Sequence, residues 1–111
     1  MLLEDLKKEF QNIPSAFVTM DASHRVTGWN AGAEEIFGYS ADEAIGCDID
    51  KLITREDIAP EARRYIRRVA EGESIKAMES VRYAKDSTPI HVLLSGSPIF
   101  RGGELEKIVA V

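Results

Sequence analysis

The sequence predicts an α+β domain, an antiparallel sheet of five strands with a set of helices packed on one of its faces. Three observations lead there. Alternating apolar and polar runs, the mark of half-buried strands, occur twice before residue 30 and three times after residue 73. The segment between them is helical, and residues 28–46 alone carry a strand end, two short helices and both of their stops. The connections are short. A chain of 111 residues is one domain, long enough to bury a core without metal or disulfide staples.

Leu3, Leu6, Phe10 and Ile13 recur at spacings of three, four and three, which predicts an amphipathic helix over 1–13 with a narrow apolar stripe. Pro14 ends it, because the residue before a proline avoids the helical region. Strands follow over 16–20 and 25–29, joined by a turn at Asp21-Ala22-Ser23-His24. Asn30 then caps a helix whose Ala33, Ile36 and Phe37 share a face and which Gly38 stops. Ser40 and Glu43 have the spacing of a capping box for a second helix over 41–45, with Gly46 placed for a left-handed stop. A further turn of helix covers 48–53. Asp57 is placed to cap the longest internal helix, with Pro60 in its first turn and Gly72 at its end. Ile58, Ala62, Tyr65, Ile66 and Val69 form its apolar face. Strands over 74–84, 90–99 and 105–111 complete the domain, with turns at Asp86-Ser87 and Arg101-Gly102-Gly103-Glu104.

Hydrophobic residues make up 44% and charged residues 30%, and no apolar run approaches the ~20 residues of a membrane span. No membrane insertion is expected, and no signal peptide, since acids interrupt the first apolar stretch. Cys47 is the single cysteine, so no intrachain disulfide can form, which fits a cytoplasmic setting. The net charge is −5 and the one basic cluster, Arg63, Arg64, Arg67 and Arg68, falls on the solvent side of a helix, paired locally with Glu61 and Glu71. Nucleic-acid binding by this domain gains nothing from it.

Alternation puts Ile90, Val92, Leu94 and Gly96 on the sheet face that meets the helices, opposite Phe37, Ile45, Tyr65, Ile66 and Val69. The other face carries Phe17, Trp29 and Leu93, which is more apolar than a solvated sheet requires. The stripe of Leu3, Leu6, Phe10 and Ile13 is the expected cover, folded back on its own sheet or docked on a second copy. Nothing proposes an enzyme: His24 and His91 lack an orienting carboxylate, Ser95 and Ser97 lack a nucleophile motif, and no metal spacing or phosphate loop occurs.

The run Gly28-Trp29-Asn30-Ala31-Gly32-Ala33-Glu34-Glu35-Ile36-Phe37-Gly38-Tyr39-Ser40 resembles the Asn-containing core of the Per-Arnt-Sim (PAS) sensor family. Ile13-Pro14-Ser15-Ala16-Phe17-Val18-Thr19-Met20-Asp21 looks like that family's first strand. Lys85-Asp86-Ser87-Thr88-Pro89-Ile90 looks like its Lys-Asp-Gly-Ser hairpin, and Ser95-Gly96-Ser97-Pro98-Ile99 like the end of its penultimate strand. Two positions depart from the pattern, His24 and Ser87, where the family usually has glycine.

The resemblance implies the strand order 2-1-5-4-3, a division into an N-terminal helix (1–13) and a PAS domain (14–111), and a ligand cavity between helices and sheet. Asn30, Phe37, Ile45, Tyr65, Ile66, Val69, Val92 and Leu94 are the residues it assigns to that cavity, which packing alone would equally fill. It also implies a homodimer through Leu3, Leu6, Phe10, Ile13, Phe17, Trp29 and Leu93. The whole would be a sensory module, with its output domain elsewhere in the same polypeptide of a bacterial or archaeal histidine kinase, two-component protein, transcription regulator or cyclic-dinucleotide enzyme. The alternative is a ligand-free dimerisation or protein-interaction domain. The cofactor is left unknown. A haem-binding member needs an axial histidine on the long helix, and 58–71 contains none. A light-oxygen-voltage member has its photoactive cysteine three residues after the glycine matching Gly46, a position held here by Ile49. A photoadduct is therefore not expected, while a non-covalently held flavin stays open.

Overall fold

The computed structural model describes residues 15–102 and 104–110. The helix expected over 1–13, with Leu3, Leu6, Phe10 and Ile13, lies outside them. In chain order the described elements are β1 (Val18–Met20), β2 (Val26–Trp29), α1 (Ala31–Phe37), α2 (Ala41–Ala44), α3 (Ile49–Ile53), α4 (Ala59–Ala70), β3 (Ile75–Tyr83), β4 (Pro89–Arg101) and β5 (Glu104–Ala110). The strands are antiparallel and neighbour one another in the order β2-β1-β5-β4-β3, with the helices on one side.

Three register shifts interrupt the sheet, one of them between Ile99 and Phe100 of β4; the other two shape its faces. Thr19 pairs with Gly28 and Met20 with Val26, which leaves Thr27 as an extra residue in β2. A bulge of this kind reverses the side-chain alternation beyond it. Trp29 therefore faces the same way as its partner Val18, into the core, and is only 2% exposed. This corrects the expectation of an outward Trp29 available to a second subunit. Its indole Nε1 donates to the Tyr39 carbonyl at 2.9 Å, and its ring lies 5.7 Å from that of Phe37. In β3 the extra residue falls between Ile75 and Met78. There Ala77 takes φ 53° and donates its N–H to Ser95 Oγ, so the bulge keeps a partner across the strand pair.

The caps hold the helical segment to the sheet. Asn30 Oδ1 accepts the Ala33 N–H at 2.9 Å, and Gly38 ends α1 at φ 83°. Ser40 and Glu43 form the reciprocal capping box of α2, while Glu34 accepts the Ala41 N–H and so joins α1 to α2. Asp48 caps α3. The cap of α4 is Ile58, without a side-chain hydrogen bond, not the expected Asp57. The Asp57 carboxylate instead accepts from the Tyr83 hydroxyl, an interaction with β3 that local sequence does not show. His24 (φ 65°) and Ser87 (φ 68°) both occupy the left-handed region where the family pattern has glycine. Each turn has polar support: Asp21 Oδ1 accepts from Ser23 and Arg25, and Asp86 Oδ1 from Thr88.

Candidate functional site

Three helices and three strands converge on one chamber. The apolar face of α4 presents Tyr65 and Ile66, α3 presents Ile49 and Ile53, α1 contributes Phe37 near its end, and β1 and β4 form the floor. The chamber has a volume of about 430 Å³, within the range of small-molecule sites. Val92 and Leu94, which alternation assigns to the inner face, lie on its wall together with Phe37, Tyr65 and Ile66.

Three of the assigned cavity residues sit elsewhere. Ile45 is 49% exposed at the end of α2, because the buried Ala44 takes the core position of that short turn. Val69 is buried one turn beyond Tyr65 and packs toward Gly96. Asn30 is wholly buried but serves the framework: Oδ1 accepts from both Phe17 and Ala33, and Nδ2 donates to the Ser15 carbonyl.

The polar groups of the chamber were not legible from strand periodicity. Arg82 lies in β3 with its side chain only 4% exposed, and it lines the chamber. Its Nη1 donates to Ser80 Oγ at 2.7 Å and to the Val81 carbonyl at 2.9 Å, with Glu61 Oε1 at 4.0 Å. Burial lowers its affinity for the proton, and the charges of Glu61 and Asp50 oppose that effect. Tyr65 Oη is buried without a hydrogen-bond partner, and burial pushes the phenol up to about 12. Asp50, also on the wall, has its carboxyl raised by burial first and by Asp48 second, against the pull of His24, Arg82 and Arg63. An inward arginine in a strand otherwise reading as a half-polar edge strand is what sequence reasoning missed.

Asp50 carries a pH prediction. A carboxyl raised in the folded state binds more protons folded than unfolded, so its contribution disfavours folding above its folded value and fades as pH falls through it. Asp50→Asn should therefore raise stability at neutral pH, with the gain over wild type disappearing in acid. Parallel urea titrations at the two pH values check this. A gain independent of pH would assign it to some other property of the amide.

Elsewhere the charges are structural. Lys85 pairs with Glu43, tying the β3–β4 hairpin to the α2 cap. Arg55 reaches the Ala84 carbonyl and Ser87 Oγ of the same hairpin. The arginines of α4 are exposed, and Arg68 pairs with Glu73 instead of the expected Glu71. Among the described residues no His, Cys, Asp and Glu cluster fits a metal ion, and no helix is long and apolar enough to cross a membrane.

The PAS fold family model matches residues 4–111, almost the whole chain. The chain belongs to the PAS family. Solved structures agree on the fold. A PAS domain from Colwellia psychrerythraea superposes with a TM-score of 0.81 at 23% identity, covering 98% of this chain and 94% of that one. A domain of the sensory box sensor histidine kinase/response regulator of Geobacter sulfurreducens gives 0.77 at 19% identity, covering 96% and 90%. A LOV protein of Rhodobacter sphaeroides gives 0.80 at 20% identity, and there this PAS domain covers 96% of itself and 63% of the other chain. No curated protein matches by sequence. At these identities the likeness speaks for fold. In this PAS domain, Ile49 lines the chamber at the position where the resemblance puts a light-oxygen-voltage cysteine. Cys47 stands outside the lining, its thiol directed to the Glu43 carbonyl.

Proposed function

We propose that this PAS domain is a sensory module that binds a small molecule in the chamber between α3, α4 and the sheet, and passes the signal through a homodimer to an output domain of the same polypeptide. The observation that carries the reading is a cavity of about 430 Å³ between the helices and the sheet, lined by Phe37, Tyr65, Ile66 and Leu94 and bordered by the buried Arg82. A core selected only for packing fills such a space and does not bring a buried arginine to its edge. Sensor and receptor proteins among the structural neighbours agree with this direction.

The outer sheet face is our candidate for dimerisation. Leu93 is 63% exposed there, and Ile99 further along the same face of β4 is exposed as well. Phe17 precedes β1 on the side away from Val18. A ligand changes output only through unequal affinity for two arrangements of this dimer. Native mass spectrometry of freshly purified protein tests both halves. A mass surplus that denaturation releases and a dimer that Ile99→Glu, outside the chamber lining, converts to monomer are the expected results. A bare monomer at all concentrations would remove the sensory reading, and a bare dimer would leave a ligand-free interaction domain.

A further inference from the structure

Among the described residues, Arg82 is the one arginine or lysine that lines the chamber, and how its donors are spent is informative. Both of its side-chain hydrogen bonds leave from Nη1, to Ser80 Oγ and the Val81 carbonyl, and the Glu61 carboxylate approaches that same nitrogen at 4.0 Å. Nε and Nη2 make no hydrogen bond among the described residues. These two nitrogens form one edge of the planar guanidinium, with parallel N–H groups spaced to receive both oxygens of a carboxylate. Neither nitrogen is among the buried atoms left without a partner, so the edge is reachable from the chamber, where water or a ligand acceptor can meet it.

We propose that the chamber takes a small organic carboxylate, held side-on by the Nε–Nη2 edge of Arg82, with its apolar body against Phe37, Ile66 and Leu94. The assignment rests on reading the chamber as a ligand site and gives that ligand its chemical class. A single negative charge fits better than a phosphate dianion. Glu61 already sits beside Arg82, and Asp50 adds a second acid on the wall. Asp50 repels the carboxylate and so limits its affinity.

The test uses phenylacetate, phenylpropionate and phenylbutyrate, each against its primary amide, titrated into isotope-labelled protein while the amide resonances of Ile66, Val92 and Leu94 are followed. The acids should bind roughly ten- to hundredfold tighter than their amides, the difference expected of a charge-assisted pair. Arg82→Lys, which keeps the charge but removes the fork, should lose most of that preference. Asp50→Asn, which leaves Arg82 in place, should tighten the acids and leave the amides unchanged. Amides that bind as well as acids, or a preference indifferent to both substitutions, overturn the carboxylate assignment while sparing the chamber as a ligand site. If no acid or amide moves a chamber resonance, the chamber reading itself falls, and this inference with it.

Discussion

Replacing Asn30 by alanine should destabilise the domain by about 2–4 kcal/mol, more than any other polar truncation in it. Asn30 Oδ1 accepts two backbone donors, Ala33 N–H at 2.9 Å and Phe17 N–H at 2.9 Å, and Nδ2 donates to the Ser15 carbonyl at 3.0 Å. Asn30 and Ala33 are both fully buried, so water cannot replace the cap bond once the amide is gone. An N-cap is worth about 0.5–2 kcal/mol, and an orphaned buried donor costs about 1–3 kcal/mol. The two overlap at Ala33, hence a sum below the simple total. Asn30→Ser separates the roles. A serine hydroxyl restores the bond to Ala33 but is too short to span to Phe17 and Ser15, so it should recover about 1 kcal/mol and no more. Urea midpoints of the three proteins decide it. Equal stability of the serine variant and wild type would show that the link to the start of β1 contributes nothing, and a loss under about 0.5 kcal/mol in the alanine variant would refute the cap itself.

Asn30 also shows why much of this fold was legible in the sequence. Its cap, the Ser40–Glu43 box and the Asp48 cap are all contacts between residues two or three apart, and such contacts are written in local spacing. The same holds for the inner face of β4, where Ile90, Val92 and Leu94 alternate with exposed neighbours as a half-buried strand must. What local spacing does not encode is a single inserted residue. Thr27 costs β2 its alternation and turns Trp29 from the presumed outer face to the core.

Capping of α4 failed for a related reason. Asp57 has the right chemistry and roughly the right place, but the Tyr83 hydroxyl, far away in sequence, engages its carboxylate, and the helix begins after Ile58. Polar groups of the chamber were hidden in the same way. Arg82 reads as one more surface charge until the fold packs α4 and Glu61 over it. The apolar part of the site was therefore readable from periodicity. Its recognition chemistry depends on pairs that only the tertiary structure brings together.

Gly96→Ala should perturb the chamber from behind its wall. A Cβ built on Gly96 would stand 2.3 Å from Tyr65 Oη, 3.0 Å from Tyr65 Cζ and 3.2 Å from Val69 Cγ2. Tyr65 is 4% exposed and its rigid ring cannot swing aside, so either α4 lifts from the sheet or β4 moves away. Overpacking of this kind costs about 1–3 kcal/mol. Removing the offending oxygen gives a control with the opposite sign. Tyr65→Phe deletes a buried hydroxyl that has no partner, which should leave stability unchanged or slightly raised. In the double variant the closest contact disappears, so Tyr65→Phe should stabilise the Gly96→Ala protein by more than it stabilises wild type. A double-mutant cycle by thermal or urea unfolding reads this coupling directly. Strict additivity would mean that Tyr65 and Gly96 do not touch, and the packing of α4 on β4 behind the chamber would have to be redrawn. Positive coupling, by contrast, ties the one glycine of the inner face of β4 to the ring of Tyr65, and through that lining residue to the shape of the chamber.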